Sequence, residues 1–114
     1  MPTIFLHTIE GMTKEQKKNM AKRVTEVIVK DANVSEEKVR IVLAERSSEN
    51  MCIGGKFLAE SDKKPLYPMA FVNIKAGRTE EVLKGLKQHL SEAISETCNI
   101  PIEEVSVYFF EHKI

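Results

Sequence analysis

Apolar and polar positions alternate in two separate stretches of the chain, and each stretch predicts the same series of elements. Residues 4–9 and 70–75 are short β-rich runs. After each, a glycine (Gly11 or Gly77) turns the chain, and a threonine (Thr13 or Thr79) stands where a helix would be capped. Thr13 and Gln16 have the spacing of a capping box, while Glu80 and Glu81 after Thr79 suit the positive end of a helix dipole. Helical spacing then puts Met20, Val24, Val27 and Ile28 on one face of the first helix. In the second helix it does the same for Leu83, Leu86, Leu90, Ala93 and Ile94. Asn33 and Asn99 read as helix stops, and residues 39–44 and 105–110 return to strand.

The two series align at an offset of 66 residues without a gap. Pro2 falls on Pro68, Phe5 on Phe71, Gly11 on Gly77, Thr13 on Thr79, Ile28 on Ile94, Asn33 on Asn99 and Glu45 on Glu111. About a quarter of the positions are identical, which a gene duplication explains. The expected layout is one domain over 1–114: a β-α-β unit at 2–45, a polar connector at 46–67 and a second unit at 68–111. Such a unit favours a parallel strand pair joined by a right-handed crossover. Two copies predict an α+β fold, a four-stranded mixed sheet with both helices on one face.

The closing strand sharpens that picture. Val105, Val107 and Phe109 point one way and Tyr108 and Phe110 the other, so both sheet faces are largely apolar. Helices can cover one of them; the other needs a partner surface, which predicts self-association. In the connector, Gly54-Gly55 lies between Met51-Cys52-Ile53 and Lys56-Phe57-Leu58 and predicts a small hairpin. The Gly pair is also compatible with phosphate binding, but no GKS/T follows and no helix clearly starts there, so the hairpin is favoured.

Composition removes several function classes. The 17 basic and 17 acidic side chains cancel, so nothing directs the chain to nucleic acid or an anionic membrane. No apolar run is long enough to span a bilayer and no signal-peptide core follows Met1. Cys52 and Cys98 make neither a disulfide framework nor a metal cluster, which fits a cytoplasmic protein with reduced thiols. His7, His89 and His112 lack metal-ligand spacing, and no cofactor is expected.

The candidate chemistry lies at Met1-Pro2. An initiator methionine before so small a residue is expected to be removed, leaving Pro2 as a secondary amine fixed by the following strand. An α-amino group titrates near pH ~8, and partial burial favours its neutral form. Such an amine serves as a general base or a nucleophile.

Taken together, Pro2, Ile9-Glu10-Gly11 before Thr13 and Glu15-Gln16-Lys17, Val39-Arg40-Ile41-Val42 ending at Glu45, and Ile53-Gly54-Gly55 resemble the tautomerase superfamily. This is the group of 4-oxalocrotonate tautomerase, with a tautomerase (MIF-like) fold. The layout is similar to two short tautomerase units fused in one chain, and the resemblance implies a homotrimer. It also implies a cofactor-independent tautomerase acting on a small enol or keto (di)carboxylic acid. The proline amine would move the proton while arginines bind carboxylate and oxyanion. The family's strand arginine falls on Arg40 in the first unit and on Ser106 in the second; its turn arginine falls on Met12 and on Arg78. One arginine of each kind survives, which implies a single working site per chain, assembled across the duplication or across subunits. Pro68 is internal and its nitrogen is an amide. Met51 occupies a position that is often aromatic in the family, and Met51 and Tyr108 complete the expected substrate-binding set with Arg40 and Arg78. Two alternatives stand beside this. Glu45 or Glu111 activating water would make the chain resemble the superfamily's hydratases and dehalogenases. A non-catalytic binding module of ferredoxin-like or tautomerase fold would need no free N-terminus.

Overall fold

Cooperation between the two repeats is visible in a computed structural model, which describes residues 2–63 and 65–113. In chain order the elements are β1 (Thr3–Ile9), α1 (Lys14–Ala32), β2 (Arg40–Arg46), β3 (Cys52–Ile53), β4 (Lys56–Phe57), β5 (Met69–Lys75), α2 (Glu80–Cys98) and β6 (Ser106–His112). The main sheet runs β2-β1-β5-β6, with parallel outer pairs and an antiparallel centre. It is a duplicated β-α-β unit with a mixed four-stranded sheet, as the pattern predicts.

Register repeats as faithfully as sequence. Thr3 lies opposite Arg40 in the first unit and Met69 opposite Ser106 in the second. Across the centre, Phe5 pairs with its own counterpart Phe71. A pseudo-two-fold axis therefore passes between these two phenylalanines and exchanges the two ends of the sheet. Because β1 pairs directly with β2, and β5 with β6, neither unit is the split β-α-β of a ferredoxin-like module. That alternative architecture is corrected.

Successive strand side chains point to opposite faces. Ile4, Leu6, Ala70 and Val72 turn toward the helices and meet Met20, Val24 and Ile28 of α1 and Leu86, Leu90 and Ile94 of α2. Burying each large aliphatic side chain here contributes about 1.5–3 kcal/mol. Leu83 stays half-buried, and Cys98 one turn beyond Ile94 is buried instead. The Thr13–Gln16 capping box forms in both directions, at 3.0 and 2.9 Å, and Thr79 caps α2 through the Val82 amide. Asn33 and Asn99 close the helices in the left-handed conformation, at φ 54° and 56°, which asparagine tolerates.

The closing strands run later than the pattern suggests. Val39 and Val105 end short 3-10 turns, and β2 and β6 continue to Arg46 and His112 because each pairs along the whole of its parallel neighbour. Between the units, β3 and β4 pair through Gly54 and Gly55, whose φ values of 60° and 82° match a type I′ turn. Among the described residues no helix is long and apolar enough to cross a membrane.

Candidate active site

The sheet face turned away from the helices is built of three cross-strand rows. At one end stand Arg40, Thr3, Asn73 and Phe110, taken from β2 to β6. Val42, Phe5, Phe71 and Tyr108 form the middle row, and Ala44, His7, Met69 and Ser106 the row at the far end. The middle is aromatic and open. Phe71 stacks on Tyr108 with centroids 5.2 Å apart, Phe110 lies 6.0 Å away and His7 meets the Phe71 ring edge-on at 5.3 Å. Tyr108 and Phe110 remain about half exposed, at 47% and 51%.

Pro2 precedes β1 and is buried. Its carbonyl accepts the Arg40 backbone N–H at 3.0 Å, so parallel pairing fixes Arg40 beside it. The antiparallel centre then brings the end of β5 to the same edge, since Thr3 pairs with Asn73. Arg78 follows immediately. Its Nη1 donates to Lys75 O and its Nη2 to Ala32 O, both at 3.0 Å, tying the end of β5 to the end of α1. A guanidinium has five N–H donors, so these two bonds hold Arg78 in place and leave others unused. Arg40 is exposed, and its guanidinium has no partner among the described residues. Pro2, Arg40 and Arg78 therefore share one end of the sheet, one arginine clamped and one loose. Met1, whose removal would free the Pro2 nitrogen, lies outside the described residues.

Met51 and Tyr108 are placed elsewhere within the single chain. Met51 follows the end of β2 that pairs with Ile9, a full strand from Pro2. Seven residues at strand rise separate the two by roughly 20 Å. Tyr108 belongs to the middle row, so Phe110 is the aromatic residue in the Pro2 row. Asn73 also stands in that row and has no counterpart among the residues singled out from sequence. Its Nδ2 donates to the Thr3 carbonyl at 3.3 Å. Period-two alternation puts Asn73 on the open face; the pairing that sets it against Thr3 is a tertiary fact.

The opposite end repeats the backbone with other side chains. Pro68 is fully buried and its carbonyl accepts Ser106 N–H at 3.1 Å, matching Pro2 and Arg40. Met12, the counterpart of Arg78, is only 8% exposed and joins the core. Cys98, the counterpart of Ala32, lies with Sγ 4.0 Å from Met20 Sδ, and burial pushes its thiol from the usual 9.0 up to about 11. Glu45, next to last in β2, lies at this end and is paired with Lys17 at 2.5 Å. Glu111, next to last in β6, lies at the Pro2 end and is exposed.

No candidate residue lines the described hollows, one of about 750 Å³ along the outer side of α1 near Glu36 and another between Asn19 and Glu96. The candidate site is an open edge in the single chain.

Comparison with known proteins identifies the family. The family model described as tautomerase enzyme matches residues 2–61. The chain is 32% identical over 62 residues to the 2-hydroxymuconate tautomerase of Bacillus subtilis (strain 168), covering 54% of this chain and 100% of that one. Among solved structures, native fused 4-OT superposes with a TM-score of 0.90 at 24% identity, covering 97% of this chain and 87% of that one. The F6 fused 4-OT wild type asymmetric trimer gives 0.86 at 25% identity, with 97% and 86% covered. The matched stretch runs from Pro2 through the hairpin and takes in Arg40, and the fused structures account for both repeats: this chain belongs to the tautomerase family.

Proposed function

We propose that the chain is a cofactor-independent keto–enol tautomerase of small enol or keto carboxylic acids, with Pro2, freed of Met1, as its general base. The observation that carries this reading is the shared end: register brings Pro2, Arg40 and Arg78 to one edge, while the equivalent edge has Pro68, Ser106 and Met12. A neutral secondary amine accepts the enol hydroxyl proton, and its protonated form returns a proton to carbon as the keto form closes. Charge develops on the oxygen that loses its proton. Arg78, already positioned by two carbonyls, loses little freedom in stabilising it, and Arg40 is free to fork onto the carboxylate. The relative from Bacillus subtilis is named for 2-hydroxymuconate, a dienol acid of this chemical class.

The middle row, exposed at Val42, Phe5 and Tyr108, supports self-association through the sheet face, and a fused 4-OT neighbour is a trimer. A neighbouring copy would wall the edge and is the route by which Met51 would reach Pro2. One site per chain follows, three per trimer.

The test is conversion of phenylenolpyruvate to its keto form by protein whose N-terminal Pro2 is verified by mass spectrometry. A rate well above background that Pro2→Ala removes is expected. No rate above background, or a rate unchanged in Pro2→Ala, ends the proposal.

A further inference from the structure

The row beside Pro2 differs from its counterpart at every position. Arg40, Thr3, Asn73 and Phe110 stand where the other end has Ser106, Met69, His7 and Ala44. Arg40 already has a place in the proposed chemistry; Asn73 and Phe110 do not.

The Asn73 side chain donates one N–H to the carbonyl of Thr3, the residue covalently joined to Pro2. A carboxamide carries two N–H donors and an oxygen with two lone pairs. The bond to a carbonyl fixes which end is nitrogen and leaves a second N–H and Oδ1 to other partners. The residue is half-buried, on the open face between Thr3 and the exposed Phe110 ring. The geometry points to Asn73 as a specificity-determining residue, hydrogen-bonding a substrate oxygen beside the carboxylate held by Arg40, with Phe110 walling the substrate's apolar substituent. The ligand class is then an enol or keto acid carrying an aryl or alkenyl group. A neutral amide suits this place because it can both donate and accept without cancelling the arginine charges. An aspartate there would oppose an anionic ligand.

This inference rests on the tautomerase reading for its substrate and not for its readout. The ¹⁵N-labelled protein, in its native assembly, is titrated with 2-hydroxy-3-phenylpropanoate, an aryl carboxylate that carries an oxygen beside its carboxylate and cannot ketonise. The Asn73 side-chain amide pair is expected to shift with saturation. Asn73→Asp is expected to weaken binding about 10- to 100-fold, and Asn73→Ala or Phe110→Ala roughly 10-fold. In turnover of phenylenolpyruvate, Phe110→Ala raises KM and leaves kcat within about threefold, a split that simple loss of structure would not give. Asn73→His, which installs the residue the other end carries here, guards against a folding failure and is expected to lose affinity with a preserved melting curve. An unmoved Asn73 amide at saturation, or a change below twofold in all the variants, overturns the assignment. A chain without tautomerase activity that still shifts the amide refutes the tautomerase reading alone. An active chain whose amide stays still refutes this one alone.

Discussion

The two ends of the central sheet share a backbone and differ in chemistry. At each, a buried proline carbonyl accepts the first amide of the neighbouring parallel strand, at 3.0 Å for Pro2 and 3.1 Å for Pro68. At the Pro2 end the surrounding side chains are Arg40, Asn73 and Arg78; at the Pro68 end they are Ser106, His7 and the buried Met12. Duplication preserved the scaffold, including caps and register. It did not preserve the charges. The proline at this position is therefore favoured by the unit itself, and the arginines are what set the Pro2 end apart.

The largest break in this comparison comes from Arg40. Arg40→Ala is expected to lower kcat/KM about 10²–10³-fold, the scale of losing one oxyanion or carboxylate donor, in a steady-state assay with an unchanged far-UV spectrum. The same truncation of Ser106 is expected to leave the rate within about twofold.

Exchanging the turn residues separates folding from function. Met12→Arg places a cation in a packed core position and is expected to cost about 3 kcal/mol or more in denaturant unfolding. Arg78→Met removes two hydrogen bonds to backbone carbonyls, an expected loss of about 1–3 kcal/mol, together with a lowered kcat. If the two substitutions gave equal melting shifts and equal kinetics, the ends would not differ as described.

Cysteine chemistry probes the dryness of the Pro68 end. Exposed Cys52 is expected to react with iodoacetamide at pH 8, while Cys98 reacts only after unfolding. The folded thiol holds its proton more tightly than the unfolded one. Its contribution to stability is therefore complete below about pH 9.0 and declines as pH rises toward about 11, which unfolding curves across that window would show.

The smallest effects fall where the ends are alike. Asn33→Gly and Asn99→Gly relieve the same left-handed conformation, and each is expected to change stability by no more than about 0.5–1 kcal/mol, by matching amounts.

Much of this molecule is legible in its sequence. The offset of 66 residues, the helix faces through Ile28 and Ile94, and an apolar sheet face without helices all follow from local pattern. The site is legible only in part. Alternation tells which face Tyr108 and Phe110 share but not that Phe110 stands in the Pro2 row, because that depends on the antiparallel register of β1 and β5. Asn73 and Thr3 are paired across the sheet, so no local signal links them. Likewise the carbonyls that clamp Arg78 come from Lys75 and from the end of the other unit's helix. Side-chain type is written locally; adjacency is made by tertiary pairing.

The central claim, that the chain has one working proline and that it is Pro2, is tested most directly by a matched pair of variants. Phenylenolpyruvate ketonisation is measured for Pro2→Ala and Pro68→Ala, each with its N-terminus verified by mass spectrometry and its fold by melting. A loss of about 10²–10⁴-fold is expected for Pro2→Ala, the range of general base catalysis, and a near-native rate for Pro68→Ala. Equal losses in the two variants, or a Pro2→Ala protein as active as the native chain, would contradict the claim.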